Sequence, residues 1–285
     1  MKREKSKLVA AMILFGTIGL FVRNMETPSS IIAFARGFIG VLFLTIIRCL
    51  GRNKVSWQAV KENFWWLALS GFCLGMNWIL LFEAYRYTTV ATATLCYYMA
   101  PILVTVVSPF LFQEKISTRK KLCTVVALIG MVLISGVVEN GMPPLREAKG
   151  ILFGLGAACL YAGIILVNKK MREITSYDKT ILQLGVSALV LLPYCLLTEK
   201  AEVCAFTPYV VGMLLVVGIL HTGITYYLYF GAIGYLPAQT VAIISYVDPA
   251  IAVLLSVMVL REGMSLLGMT GAVLLLGAAL ISEIT

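Results

Sequence analysis

FEAYRYTTVATATLCYYMAPILVTVVSPFLFQEKIS, residues Phe82–Ser117, returns 148 positions later as FGAIGYLPAQTVAIISYVDPAIAVLLSVMVLREGMS, residues Phe230–Ser265. The correspondence runs without a gap from Gly75–Glu114 to Gly223–Glu262. Leu80/Leu228, Phe82/Phe230, Ala84/Ala232, Tyr87/Tyr235, Thr92/Thr240, Tyr98/Tyr246, Pro101/Pro249, Ser108/Ser256 and Glu114/Glu262 are matched pairs. Most other positions exchange one apolar residue for another. Many membrane carriers are built from an internal repeat in an apolar chain, with the solute site where the copies meet. The repeat therefore points to transport.

Composition agrees. The chain is 60% hydrophobic and 13% charged, where a soluble domain usually carries about 25% charged residues. Its mean hydropathy is +0.93. Too few charges remain to coat a soluble protein of this size, and they cluster between stretches long enough to cross a bilayer. The first five such stretches are Leu8–Val22, Ser30–Ile47, Phe64–Leu81, Val90–Phe112 and Leu122–Val138. The second five are Gly150–Val167, Ile181–Leu197, Tyr209–Phe230, Ala238–Leu260 and Leu266–Ile281. None shows the period-two alternation of a membrane barrel, so helices are the expected way to satisfy each backbone group in lipid. The pattern predicts an all-α membrane protein of ten transmembrane helices.

Loop charge gives orientation. Lys2–Lys7, Arg48–Lys61, Glu114–Lys121 and Lys169–Lys179 are basic, whereas Arg23–Ser29, Glu139–Lys149 and Glu199–Pro208 are near neutral or slightly acidic. The positive-inside rule then puts both termini in the cytoplasm. Five spans per copy is an odd number, so the second repeat is expected to lie inverted relative to the first. The expected units are residues 1–140 and 147–285. The net charge of +9 is explained by these loops without nucleic acid as a partner. The basic start before an apolar run resembles a secretion signal, but no small-residue cleavage pattern follows and nine further spans do.

The seven cysteines are scattered, without a CxxC or Cys/His cluster, and read as small apolar fillers, not as metal ligands or disulfides. No cofactor is implied. HExxH and paired membrane aspartates are absent, which argues against an intramembrane enzyme, and no Walker-type GxxxxGK[ST] implies ATP hydrolysis.

The two hairpins, with their alanine-tyrosine turn, mid-helix proline and terminal glutamate, resemble the EamA-type repeat of the drug/metabolite transporter superfamily. Phe15-Gly16, Leu160-Tyr161-Ala162 and Arg36 support the likeness, which covers essentially the whole chain. The resemblance implies two inverted five-helix repeats around a central cavity and transport by alternating access. Export is the direction it suggests. Two departures stand out: Ala100 precedes Pro101 where Asp248 precedes Pro249, and no tryptophan lies beside Gly16.

Asp248 is the sharpest candidate, because a carboxylate at mid-span costs at least ~2.5–3.5 kcal/mol on insertion scales and usually faces a cavity, pairs or titrates. Pro249 and Pro101 lack an amide proton and are candidate hinges. Trp78, Tyr97, Tyr98, Tyr226 and Tyr229 would surround Asp248 as a binding shell for an organic cation, held by cation–π attraction as well as charge. The competing account of such aromatics is an interfacial belt. His221, the only histidine, is either a proton relay or a hydrogen bond between helices. Glu83 and Arg86 are neighbours on one face, as a plain ion pair or an outer gate. Arg36 has three readings: pairing with Asp248, pairing with Glu83, or snorkelling outward. Gln183 and Asn77 read as glue between helices. Gly71-x-x-x-Gly75 and Gly150-x-x-x-Gly154 suit close packing, within one bundle or between two copies of the chain.

The expected activity is secondary active transport of a small metabolite or amphiphilic amine across the cytoplasmic membrane, with proton coupling through Asp248. The alternative is an uncoupled facilitator for neutral amino acids or related metabolites. The sequence leaves monomer and homodimer equally open.

Overall fold

The computed structural model describes residues 2–50, 56–112, 118–134, 136–141, 143–171, 173–199, 207–233, 244–245 and 247–283, and they are helical apart from short connections. Helices α1 (Lys2–Arg23) and α2 (Ser29–Leu50) lead through the short α3 (Trp57–Glu62) to α4 (Phe64–Tyr87). Next come α5 (Val90–Tyr97), α6 (Ala100–Phe112), α7 (Thr118–Ile134) and the four-residue α8 (Val137–Asn140). The second half holds α9 (Leu145–Lys170), α10 (Ser176–Thr198) and α11 (Pro208–Leu215). It continues through a π-helical segment (Val216–Ile224) into α12 (Thr225–Ile233), α13 (Val247–Met258) and α14 (Leu266–Glu283).

Six of these stretches are long and apolar enough to cross a membrane: Lys2–Arg23, Ser29–Leu50, Phe64–Tyr87, Leu145–Asn168, Tyr177–Thr198 and Pro208–Tyr229. Four apolar helices are shorter: Val90–Val104, Lys121–Ile134, Val247–Met258 and Leu266–Ala278. Length is therefore unevenly shared among the stretches the hydropathy pattern marks. Local chemistry explains several boundaries. Thr89, Thr175 and Thr207 each accept a hydrogen bond from the amide three residues on, capping α5, α10 and α11, and Pro208 starts α11 where a missing N–H costs nothing.

Two of the differences from the sequence reading have a local cause. The fifth stretch, expected over Leu122–Val138, starts earlier and ends at Ile134, because Gly136 adopts φ +72°, a left-handed conformation that stops a helix. The fourth, read as one run, is interrupted between Tyr97 and Ala100. Pro101 has no N–H to offer the carbonyl four residues back, so the chain turns there and resumes as α6. Pro249 has a similar setting: like Pro101 in α6, it lies in the first turn of its helix, α13, where proline is tolerated.

Packing places α4 against α9 and α10, α10 also against α2, and α7 against α14. Helix α1 lies against α12 and α13, α2 against the π segment, and α5 against α9 and α13. The Gly71-x-x-x-Gly75 face meets Gln183, Val186, Ser187 and Leu191 of α10 within the bundle. Gln183 donates to Ser70 Oγ at 2.8 Å and to Asn168 Oδ1 at 2.5 Å, and Asn77 donates to the Ala157 carbonyl at 2.6 Å. These bonds are the expected polar glue between apolar helices.

Polar cross-links also set strand-like polarity between helices. Leu44 and Arg48, late in α2, meet Tyr177 and Asp178 at the start of α10: the Tyr177 hydroxyl donates to the Leu44 carbonyl at 2.9 Å, and Arg48 pairs with Asp178 at 2.7 Å. Ser30, early in α2, bonds Glu199, just past the end of α10. Helices α2 and α10 therefore run antiparallel. So do α5 and α13: Val90 and Ala91 meet Glu262 and Ser256, whereas Tyr98, past the end of α5, meets Asp248 at the start of α13.

Candidate functional site

Helices α1, α5, α9, α12 and α13 bring a set of aromatic and polar side chains together halfway along the bundle. The Tyr98 hydroxyl donates to Asp248 Oδ2 at 2.6 Å, a charge-assisted distance for an ionised acceptor. Tyr98 meets Tyr97 edge to face at 5.9 Å, and Tyr97 packs on Tyr161 of α9 at 5.1 Å. Across the group, Phe15 of α1 meets Tyr226 at 5.3 Å and Tyr229 at 6.3 Å. Phe15, Tyr97, Tyr98, Tyr161, Tyr226, Tyr229 and Asp248 are each only partly buried, although they lie inside the span.

Gly16 makes this closeness possible. A side chain there would place its first carbon 2.6 Å from the Asp248 carbonyl oxygen and 2.8 Å from Ile251, so only glycine lets α1 approach α13.

A second polar centre adjoins the first. Arg36 is buried, its guanidinium over the Trp78 ring at 4.4 Å and Phe82 at 5.9 Å, a stacking that partly compensates a desolvated cation. Its Nε donates to Thr222 Oγ1 at 2.8 Å, the one hydrogen bond Arg36 makes among the described residues. No ion pair joins Arg36 to Asp248 or to Glu83 among the described residues. The two pairings expected for it are thus replaced by an aromatic face and a hydroxyl, and it does not snorkel, because α4 and the π segment close over it.

The π segment supplies that hydroxyl. Its wider turn lets side chains reach carbonyls five residues back: Thr222 Oγ1 donates to Val217 at 3.1 Å and Thr225 Oγ1 to Leu220 at 2.7 Å. Such widenings inside α-helices frequently occur at functional sites. His221 sits in the same segment, fully buried, with Nε2 2.9 Å from Thr17 Oγ1 and its ring against Phe21 at 4.8 Å. Thr17 Oγ1 also lies 2.8 Å from the Leu14 carbonyl and Nδ1 lies 3.5 Å from the Val216 carbonyl, so the imidazole tautomer sets which atom of the His221–Thr17 pair donates.

The structure brings together Tyr97, Tyr98, Tyr226, Tyr229 and Asp248. Trp78 lies beside them but is covered by Arg36 and only 3% exposed. Glu83 and Arg86 are elsewhere, at the end of α4, as an ion pair of 3.9 Å; Arg86 also bonds the Thr27 carbonyl. Tyr246 lies outside the described residues, as does Glu114. Sequence reading did not single out Thr222, Thr17, Tyr161 or Phe15 as site residues. Tyr161 and Phe15 carried a signal, being mid-span aromatics, whereas nothing in sequence marks Thr222 as the partner of Arg36.

Comparison with known proteins supplies the remaining findings. The model of the EamA-like transporter family matches residues 6–136 and again 148–283. An uncharacterized transporter of Bacillus subtilis, YxxF, is 31% identical over 252 residues, spanning 87% of this chain and 79% of that protein. An uncharacterized transporter of Archaeoglobus fulgidus is 26% identical over 286 residues, 99% of this chain and 97% of its own. Solute carrier family 35 member G1 of mouse is 27% identical over 180 residues, 59% of this chain and 48% of that one. A protein of known crystal structure, 17% identical, superposes with a TM-score of 0.68 over 98% of this chain and 97% of its own, a likeness of fold.

Proposed function

Because the chain belongs to the EamA-like transporter family, and is therefore a multi-pass membrane transporter and not an enzyme, we propose that Asp248 is its solute-binding carboxylate. The solute is a small metabolite or amphiphilic amine, moved by alternating access between two inverted five-helix repeats. The observation that carries this is the Asp248 carboxylate, mid-span and partly accessible, bonded to the Tyr98 hydroxyl with no cation paired to it among the described residues. Arg36, the buried cation of the adjoining centre, stacks on Trp78 and, among the described residues, makes no ion pair with this carboxylate, so a bound ammonium group would be its direct partner. Tyr97, Tyr226 and Tyr229 offer ring faces for the apolar body and for cation–π attraction. The antiparallel pair α2/α10 joins equivalent segments of the two sequence copies, and α5/α13 joins complementary parts of the two matched hairpins, which supports inversion.

In this reading the two units are residues 1–140 and 147–285, the termini are cytoplasmic and flux is outward. Proton coupling runs through Asp248, which exchanges a proton for the solute's cationic group. His221, wholly enclosed by Thr17 and Phe21, holds α1 to the π segment. Pro101 provides the turn about which α6 moves relative to α5, and Pro249 starts the helix that carries Asp248. Glu83 and Arg86 belong to the outer end.

Arg36 favours a second reading. A buried guanidinium with spare donors in the centre adjoining the carboxylate suits a zwitterion, so uncoupled movement of a neutral amino acid or related metabolite is the alternative. Thermal stabilisation of the purified carrier in detergent separates them. Aliphatic and aromatic amines without a carboxylate should raise the unfolding midpoint under the first reading, and only amino acids under the second. Stabilisation by sugar phosphates alone would defeat both. In proteoliposomes, full pH-gradient-driven flux by Asp248→Asn would end the coupling hypothesis.

A further inference from the structure

Helix α5 does not cap itself alone. Its early amides are normally free and need acceptors. Thr92 N–H is taken by Thr89 Oγ1 of the same turn at 3.0 Å, but the two before it are taken by the other half of the chain. Val90 N–H donates to Glu262 Oε2 at 2.8 Å, and Ala91 N–H to Ser256 Oγ at 3.3 Å. Ser256 donates in turn to Glu262 Oε2 at 2.6 Å. Arg23 stands 3.6 Å from the other carboxylate oxygen and donates to the Thr88 carbonyl at 3.1 Å, so α1 joins the same junction.

The backbone is bent to make this contact. Arg261 adopts φ +54°, a left-handed conformation that roughly 1–2 kcal/mol disfavours for a residue with a side chain. That turn folds the chain back at the end of α13, so that Glu262 N–H reaches the Ser256 carbonyl at 3.0 Å and the carboxylate lies over the start of α5. Strain of this kind persists where the surroundings over-determine it, and it collects at switch regions.

Burial shows what the junction closes. Between it and the Tyr98–Asp248 pair, Val90, Ala91, Ala93, Leu95 and Cys96 are at most 1% exposed, whereas Tyr97 and Tyr98 beyond them are partly accessible. These residues of α5 leave almost no exposed surface between the Arg23 end and the site, and α5 packs there against α13. A cavity of about 130 Å³ lined by Thr89, Thr92, Gly263 and Ser265, among others, lies beside the junction. Water there can replace the amide–carboxylate bonds when they part, which makes the contact reversible in lipid. The spacing Ser256-x5-Glu262 recurs in sequence as Ser108-x5-Glu114.

We infer that Glu262, with Ser256, is a latch: a positioning pair that holds the Arg23 end of the transport path closed by capping α5, and that releases when α13 swings away. The inference rests on the carrier reading for its purpose, but its test does not require the solute. In a background with every cysteine changed to alanine, Phe15→Cys places one thiol beside Tyr226 and Tyr229. The probe is a membrane-impermeant maleimide added from the side carrying Arg23, in proteoliposomes sorted by orientation. Glu262→Gln should raise the labelling rate about tenfold, the scale of one lost charge-assisted hydrogen bond, and Ser256→Ala a few-fold. Ser256→Ala serves if Glu262→Gln fails to fold, and Arg23→Gln, which leaves the cap in place, should change the rate less than either. Labelling rates within twofold of the parent for Glu262→Gln, or for Ser256→Ala where Glu262→Gln does not fold, would overturn the latch even if flux persists. Faster labelling in a protein that moves no solute would sustain the latch and defeat the carrier reading instead.

Discussion

Helix α4 and the run from α11 through the π segment to α12 are equivalent stretches of the two sequence copies, and they solve the same packing problem differently. Helix α4 is regular from Phe64 to Tyr87 and is filled by Leu74, Trp78 and Phe82, with Asn77 tied to a neighbouring carbonyl. Its counterpart widens over Val216–Ile224 and places His221, Thr222 and Tyr226 where α4 has Cys73, Leu74 and Trp78. One copy offers a smooth apolar wall and an aromatic face for Arg36. The other offers hydroxyls, an imidazole and, beyond them, Asp248. Duplication thus supplied the frame, and divergence divided the polar groups, with Arg36 and Tyr98 in the first copy and His221, Thr222 and Asp248 in the second.

That asymmetry can be broken experimentally. The largest effect should come from Asp248→Asn, which removes the one feature with no equivalent at Ala100; solute flux in proteoliposomes should fall about 100-fold, the scale of a lost charged contact. Flux within threefold of the parent would mean that this carboxylate does not bind the solute. Thr222→Leu installs the residue α4 carries at that place and leaves Arg36 Nε without its acceptor. A loss of about 1–3 kcal/mol in stability, read as a lower midpoint of thermal unfolding, is expected. His221→Cys makes the same exchange one residue earlier and forfeits the Thr17 bond. It should cost about 1 kcal/mol and leave flux in place if His221 is a strut, whereas loss of pH-driven flux with unchanged stability would restore it as a relay. Cys73→Ala, the mirror change in α4, should stay within about 1 kcal/mol, since that side chain is half-buried and works only as filler. A larger loss there would show that α4 is not the passive copy.

Legibility followed the range of the interactions. The apolar runs, the paired prolines and the duplicated hairpin are local patterns, and each has a counterpart among the helices. The interruption at Tyr98–Met99 follows from Pro101, whereas the mid-span positions of Tyr97, Tyr98, Tyr226 and Tyr229 left a shell around Asp248 and an interfacial belt both open. The partners of Arg36 were not legible. Its choice of Trp78 and Thr222 depends on how a widened turn in a distant segment rotates one hydroxyl, and Val216–Ile224 carries no proline or other local mark of that widening. The role of Glu262 was equally hidden. By sequence it is a membrane-edge anchor or a salt-bridge partner at a gate, and only the left-handed turn at Arg261 sends it to the amides of α5.

By itself the chain's order of residues determined that lipid is its solvent, where helices fall, that its halves are copies and that one carboxylate stands apart at mid-span. Those are consequences of hydropathy and identity, which need no neighbour to be read. Tertiary structure decided which buried polar groups share bonds and which carboxylate caps α5. In a medium without water each such group must find its partner inside the protein, and that partner is fixed by packing across more than 100 residues of chain, as Arg36 with Thr222 and Val90 with Glu262 demonstrate.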